Sequence, residues 1–133
     1  MRRLTALFLV GLMSVAMRGG PASAADAPAK RFVVYFQEWS AAFDDSALGA
    51  IATAADFAKA NPTARITVTG FADPTGSRKA NILMSELRAQ VVTDQLAQDG
   101  VPAARVTQGA RGSVEFALTS QESRRVEIAV AAR

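Results

Sequence analysis

Two oppositely charged side chains, Asp73 and Arg88, bracket a stretch whose polar residues have a spacing suited to ligand binding. The segment 69–91 passes from a β-like run through a Gly/Pro turn into a helix-like run. On that helix Asn81, Ser85 and Arg88 recur at i, i+4 and i+7, so they share one face. A guanidinium binds a carboxylate through two hydrogen bonds, and a carboxylate binds an ammonium group. The pair therefore suits a zwitterion, such as an amino-acid head group.

Asp73 and Arg88 are far apart along the chain, so the sequence does not decide whether they bind one ligand together. If the helix begins at Ser77, Arg88 lies ~16 Å along it. The arginine side chain points back toward the N-terminus of the helix, which recovers only part of that distance. The alternatives are a solvent-exposed arginine on the helix surface and an Asp73 that caps the helix.

The absence of two residue types excludes several kinds of catalytic and metal site. The sequence has no His and no Cys, so zinc sites built on those ligands cannot form. Ser-His-Asp and Cys-His nucleophiles are excluded for the same reason. The adjacent acids Asp44 and Asp45 lie where a helix N-cap is expected. We therefore expect a protein that is not an enzyme, with no catalytic residue, no metal ion and no cofactor.

The first 24 residues have the pattern of a secretory signal peptide. Arg2 and Arg3 precede an apolar run over 4–17, and small residues lead up to Ala24. The apolar run is short for a bilayer-spanning helix, which disfavours the alternative of an uncleaved membrane anchor. We predict cleavage after Ala24, a periplasmic location and no transmembrane segment in the mature chain.

The remaining chain is predicted to form one domain over 31–133, after a short flexible lead-in over 25–30. Three of the 15 Lys+Arg residues lie in the predicted signal peptide, which leaves 12 basic residues against 12 acidic ones. A nucleic-acid-binding protein needs a basic face, so we expect no nucleic-acid partner.

The pattern of apolar residues predicts an α+β fold of order β-α-β-α-β-β. Strands are predicted over 31–36, 64–71, 105–110 and 124–130, with helices from 44–46 to 60 and from 77–81 to about 98. The arrangement that satisfies these elements is a two-layer sandwich, with a four-stranded mixed sheet and two helices on one face. The residues predicted to be buried on the two helices are Leu48, Ile51, Ala52, Ala55 and Ala58, and Leu83, Leu87, Val91 and Leu96.

The central part of the sequence carries a combination of motifs. The first set is Thr69, Gly70, Phe71, Ala72 and Asp73, followed by Gly76, Asn81, Ser85, Arg88, Ala89 and Val92. A link from Gly100 to Val106 and a final run from Arg124 to Ile128 complete the set. In order and spacing these motifs resemble the OmpA-like peptidoglycan-binding domain, the family of the OmpA C-terminal domain, the Pal lipoprotein and flagellar stator B-subunits. The resemblance covers about residues 31–130.

The resemblance implies non-covalent binding to the peptide stem of peptidoglycan, through its meso-diaminopimelate. Carried over, Asp73 binds the ammonium group and Arg88 the carboxylate, while Asn81 and the backbone near Ala72 assist. The implied role is to anchor a periplasmic or outer-membrane-associated assembly, with an envelope protein as a partner.

Three features depart from the family pattern. Trp39 stands where a small polar residue often reaches the ligand, so its ring walls the pocket, narrows it or covers the core. Met84 stands where leucine is typical, which is a tolerable apolar exchange. Arg124 and Arg125 match the family pattern, but strand alternation sends them to opposite faces, which leaves open which of them faces the pocket. The connection over 112–123 is short. These departures motivate an alternative function, a structural or interaction module with the same fold that has lost ligand binding.

Overall fold

The computed structural model describes residues 29–72, 76–113 and 123–131. The predicted signal peptide lies outside the described residues. Within them the predicted order of helices and strands is confirmed, with one added turn of 3-10 helix over Ala103–Arg105. The elements are β1 (Lys30–Tyr35), α1 (Asp45–Ala60), β2 (Arg65–Ala72), α2 (Arg78–Gln98), β3 (Val106–Ser113) and β4 (Arg125–Ala131).

The four strands form one mixed sheet in the order β1-β4-β2-β3. β4 pairs antiparallel with both β1 and β2, whereas β2 and β3 are parallel. The parallel pair is connected through α2, as a crossover connection requires. Both helices contact the sheet and each other, so they cover the same face and the predicted two-layer architecture is confirmed.

The strands bury alternate residues against the helices, as predicted. Ile66 and Val68 on β2 are buried, and so are Val126, Ile128 and Val130 on β4, while their neighbours in each strand keep exposed surface. This alternation is expected where one face of a sheet is covered and the other is open.

Side-chain caps fix where the two helices begin. The Asp44 carboxylate accepts a hydrogen bond from the Ala47 amide at 2.7 Å, which confirms its predicted capping role. The Ser77 hydroxyl accepts one from the Ala80 amide at 3.0 Å, so α2 begins at the early end of the predicted range.

The predicted buried face of α2 is wrong for its two leading leucines. Leu83 and Leu87 are 56% and 49% exposed. The face of α2 that is turned to the sheet is offset by one residue from the predicted face, and its first half is polar. The buried residues of α2 are Asn81, Ser85, Arg88, Ala89, Val92, Thr93 and Leu96. The reason is that this half of α2 faces the end of β2 and the turn after β1, where backbone carbonyls accept hydrogen bonds from Arg88.

The predicted buried face of α1 is correct in part. Ile51, Ala55 and Ala58 are buried, but Leu48 is 39% exposed and Ala52 is exposed. Ala47 and Ala54 take their places in the core. The small residues allow α1 to pack closely, and the larger Leu48 lies outside the contact.

A glycine brings α2 close to β2. A Cβ atom on Gly70 would lie 2.0 Å from the Ser85 carbonyl oxygen and 3.3 Å from the Ala89 Cβ. Only a residue without a side chain fits at such a distance. The third turn of α2, rather than its first, therefore lies over the end of β2.

Gly70→Ala is expected to lower the free energy of unfolding by about 3 kcal/mol, because the added methyl group overpacks this contact. Urea unfolding followed by circular dichroism measures the change. Gly109→Ala is the matched control on β3, where a Cβ would meet nothing within 4 Å. Equal stabilities of the two variants would contradict the close packing of α2 on β2.

Leu87→Ala is expected to cost less than about 1 kcal/mol, since half of the side chain is exposed. Leu96→Ala removes a side chain that is 1% exposed and is expected to cost about 2–5 kcal/mol. The same unfolding measurement compares them, and a larger loss for Leu87→Ala would reverse the assignment of the buried face.

Candidate functional site

A polar cleft lies at the C-terminal end of β2. It is lined by Glu38, Trp39, Ala72, Asn81, Met84, Arg88 and Arg124. The structure thus brings five of the seven predicted site residues together: Trp39, Ala72, Asn81, Arg88 and Arg124. Of the other two, Asp73 lies outside the described residues and Arg125 is on the opposite face of the sheet.

Arg88 is the central side chain of the cleft, although it is almost fully buried. It is 1% exposed and belongs to the largest fully buried side chains. Its Nε donates a hydrogen bond to the Ser40 carbonyl at 2.9 Å, and its Nη2 donates one to the Gln37 carbonyl at 3.0 Å. Its Nη1 donates to the Phe71 carbonyl at 3.4 Å. The alternative of a solvent-exposed Arg88 is therefore wrong.

The position of α2 explains how Arg88 reaches the end of β2. The sequence places this residue ~15 Å from the start of the helix. Because the third turn of α2 contacts Gly70 through the backbone of Ser85, Arg88 lies beside the last residues of β2. The separation along the chain is thus offset by the direction in which α2 crosses the sheet.

The two carbonyls nearest to the Arg88 guanidinium belong to one tight turn. The Ser40 amide donates a hydrogen bond to the Gln37 carbonyl at 3.2 Å, which closes a four-residue turn. Trp39, the third residue of that turn, has a φ of 49°, as the third residue of a type II turn requires. Among the described residues no other non-glycine has a positive φ. Arg88 therefore holds both ends of the turn that carries Trp39.

The other polar residues of the predicted helix face have different roles. Asn81 is buried and lines the cleft. Ser85 is also buried, but its hydroxyl donates to the Ile82 carbonyl at 2.8 Å, within the helix. Ser85 therefore serves the close contact with Gly70, while Asn81 and Arg88 face the cleft.

The two consecutive arginines of the final motif are separated by strand alternation. Arg124 lines the cleft, and its Nε donates to the Phe36 carbonyl at 3.4 Å. Arg125 lies over the ring of Phe71, 4.1 Å from its centroid, and forms an ion pair with Glu127 at 3.1 Å. Arg124 is thus the member of the pair that adds a second cation to the cleft.

Sequence reasoning missed two residues that line the cleft, Glu38 and Met84. Met84 is three residues after Asn81 and four before Arg88, so helical spacing places it on the same face. Glu38 precedes Trp39 in the turn, and nothing in the sequence pattern indicated where that turn lies.

The enclosed part of the cleft is small. Its volume is about 10 Å³, which is room for about one water molecule. Glu38 and Trp39 are exposed and Met84 is half-buried. A ligand larger than water therefore extends out of the enclosed part, past these side chains.

Two further structural findings concern the described part of the chain. None of its helices combines the length and the hydropathy of a membrane-spanning segment. No cluster of acidic side chains suited to a metal ion occurs in the same residues.

Comparison with known proteins finds a match to the OmpA family model over residues 35–128. Over 82 residues the chain is 39% identical to the peptidoglycan-binding protein ArfA of Mycobacterium tuberculosis, covering 57% of this chain and 25% of ArfA. Over 101 residues it is 37% identical to outer membrane protein 40 of Porphyromonas gingivalis, covering 75% of this chain and 26% of that protein. The chain thus spans about a quarter of the length of these relatives.

Solved structures share the fold. The peptidoglycan-associated lipoprotein of Burkholderia pseudomallei superposes with a TM-score of 0.69 at 24% identity, covering 74% of this chain and 89% of that one. The C-terminal domain of Helicobacter pylori MotB superposes with a TM-score of 0.66 at 25% identity, covering 76% of this chain and 84% of that domain.

Arg88→Ala is expected to lower the free energy of unfolding by about 2–4 kcal/mol, because it leaves backbone carbonyls at the cleft without their donor. This expectation differs from that for an exposed arginine, whose removal has little effect on stability. Urea unfolding measures it, and a variant as stable as the wild type would show that water replaces the guanidinium at no cost.

Proposed function

The chain belongs to the OmpA family, and on that premise we propose that it binds peptidoglycan non-covalently through the diaminopimelate of the stem peptide. The binding holds a periplasmic or outer-membrane-associated assembly at the cell wall. Relatives named for peptidoglycan binding or association support the class of ligand. The observation that carries the proposal is the buried Arg88 guanidinium at a cleft formed with Asn81 and Arg124.

The charge of the cleft suits one end of the proposed ligand. The free end of a diaminopimelate side chain is a zwitterion with one carboxylate and one ammonium group. In the proposal Arg88 binds the carboxylate, the Asn81 amide assists, and the nearby Arg124 adds positive charge. The Phe71 carbonyl is the most distant of the three Arg88 acceptors, at 3.4 Å, so a ligand carboxylate replaces this contact most easily.

We assign the ammonium group to Asp73 on the basis of sequence position. Asp73 directly follows Ala72, the last residue of β2, which lines the cleft. Its carboxylate would complement the ligand's positive end. Each charge-assisted hydrogen bond contributes ~1.5–3 kcal/mol. Two or three of them, after the costs of association, correspond to a Kd in roughly the micromolar to millimolar range.

A second function, an interaction module that binds no peptidoglycan, is favoured by one observation. The enclosed cleft has room for about one water, and Arg88 already binds three backbone carbonyls. In this alternative the guanidinium is structural alone. The two functions give opposite results in the binding experiment below.

The location follows from the same proposal. Removal of the predicted signal peptide 1–24 would deliver the chain to the periplasm, where peptidoglycan is found. An envelope protein would then be the partner that is anchored. The proposed activity is binding without turnover, so incubation with purified sacculi is expected to release no soluble fragments.

Arg88→Lys is expected to reduce binding of a diaminopimelate-containing muropeptide by at least tenfold. A lysine keeps the positive charge, but its single ammonium group cannot replace the planar guanidinium fork. Isothermal titration calorimetry, together with co-sedimentation with sacculi, measures the loss.

Arg105→Lys is the matched control. The Arg105 guanidinium also binds three backbone carbonyls, those of Ala58, Asn61 and Ala64. These lie at the opposite end of β2 from the cleft, so the variant is expected to lose stability but bind as the wild type does. Equal binding by both variants would show that Arg88 does not bind the ligand carboxylate, and no binding by the wild type at millimolar muropeptide would support the interaction module instead.

A further inference from the structure

The aromatic ring of Trp39 stands at the mouth of the cleft with an exposed surface. Trp39 is 52% exposed, although it lines the cleft together with Met84 and Arg88. It is the single tryptophan of the sequence. A large apolar ring that is left half in water beside a charged cleft has an unused apolar surface for a ligand.

The backbone turn that carries Trp39 fixes the position of its side chain. The residue occupies the positive-φ position of the turn 37–40, a conformation that bulky side chains rarely adopt. Arg88 donates hydrogen bonds to the carbonyls at both ends of this turn, on Gln37 and Ser40. The turn is therefore fixed by the same guanidinium that is proposed to bind the ligand carboxylate.

Gly76 packs against one edge of the Trp39 ring. A Cβ atom on Gly76 would lie 3.2 Å from Trp39 Cζ2 and 3.4 Å from Cη2. The outer edge of the indole therefore rests against the backbone of Gly76, whose φ of 84° favours glycine in any case. With its turn clamped and its edge supported, the ring loses little conformational freedom when a ligand packs on it.

We propose that the Trp39 ring, together with Met84, is the surface on which the aliphatic part of the ligand packs. Trp39 then selects zwitterionic head groups that are joined to a methylene chain. This inference rests on the proposed function. The enclosed part of the cleft has room for about one water molecule, so the atoms behind the head group must lie outside it, and the large apolar side chains that line the cleft are Trp39 and Met84. In diaminopimelate those atoms are methylene groups.

A series of free amino acids tests the proposal, because alanine, norvaline and norleucine share one head group and differ in chain length. Their binding to the full chain is followed by the NMR shifts of the Asn81 and Gly76 amides, with a diaminopimelate-containing stem tripeptide as the reference ligand. Each added methylene is expected to tighten binding to the wild type by about fourfold, the free energy of burying one CH₂ group expressed as affinity.

Four variants separate the contribution of the ring from other effects. Trp39→Ala is expected to make affinity nearly independent of chain length, and Trp39→Phe is expected to keep most of the dependence. Gly76→Ala keeps the indole but displaces it, so a reduced dependence is expected. Leu87→Ala, which removes an exposed apolar side chain outside the cleft lining, is expected to keep the full dependence.

The results distinguish this inference from the proposed function. An undiminished chain-length dependence in Trp39→Ala, with the tripeptide still bound, overturns the role of Trp39 and leaves peptidoglycan binding in place. A wild type that binds the tripeptide only when the glycan is attached overturns it as well, because the ring would then contact sugar. A wild type that binds neither the tripeptide nor the glycan-linked form overturns both.

Discussion

The site depends on one interaction, a buried guanidinium that binds backbone carbonyls of the turn after β1 and of the end of β2. Arg88 joins the turn after β1 to the end of β2 through Gln37, Ser40 and Phe71. A buried cation is costly unless it is hydrogen-bonded, so the carbonyls and the arginine require one another. The proposed receptor for a carboxylate is thus part of the fold, and its position is fixed before any ligand arrives.

The strands and the fold class could be predicted because their signals are local. Alternation along β2 and β4 identifies the buried face without knowledge of the partner. The caps Asp44 and Ser77 are likewise local. The buried face of α2 was predicted wrongly because leucines were assumed to point inward. What a helix buries depends on what it meets. Here Arg88 meets backbone carbonyls of the end of β2 and of the turn after β1, and Asn81 meets a cleft instead of an apolar surface.

The site residues that lie within one motif could be predicted from their spacing. The contacts between residues that are far apart in the chain could not. Spacing placed Asn81 and Arg88 on one face, and the cleft includes both. Strand alternation separated Arg124 from Arg125, but only the structure shows which one lines the cleft. The clamp on the turn 37–40 and the contact of Trp39 with Gly76 involve residues far apart in the chain, and no local pattern signals a tryptophan with positive φ.

The sheet order has a consequence for how the chain acquires its structure. β4 is the last described strand along the sequence, yet it lies between β1 and β2 and pairs with both. Among the described strands β1 pairs with β4 alone, so this pairing waits until the residues up to 131 are available. Contacts of such high sequence separation slow folding. The two halves of the sheet are therefore joined only once β4 has been synthesised, and the β2-α2-β3 unit has to form or wait without its antiparallel neighbour until then.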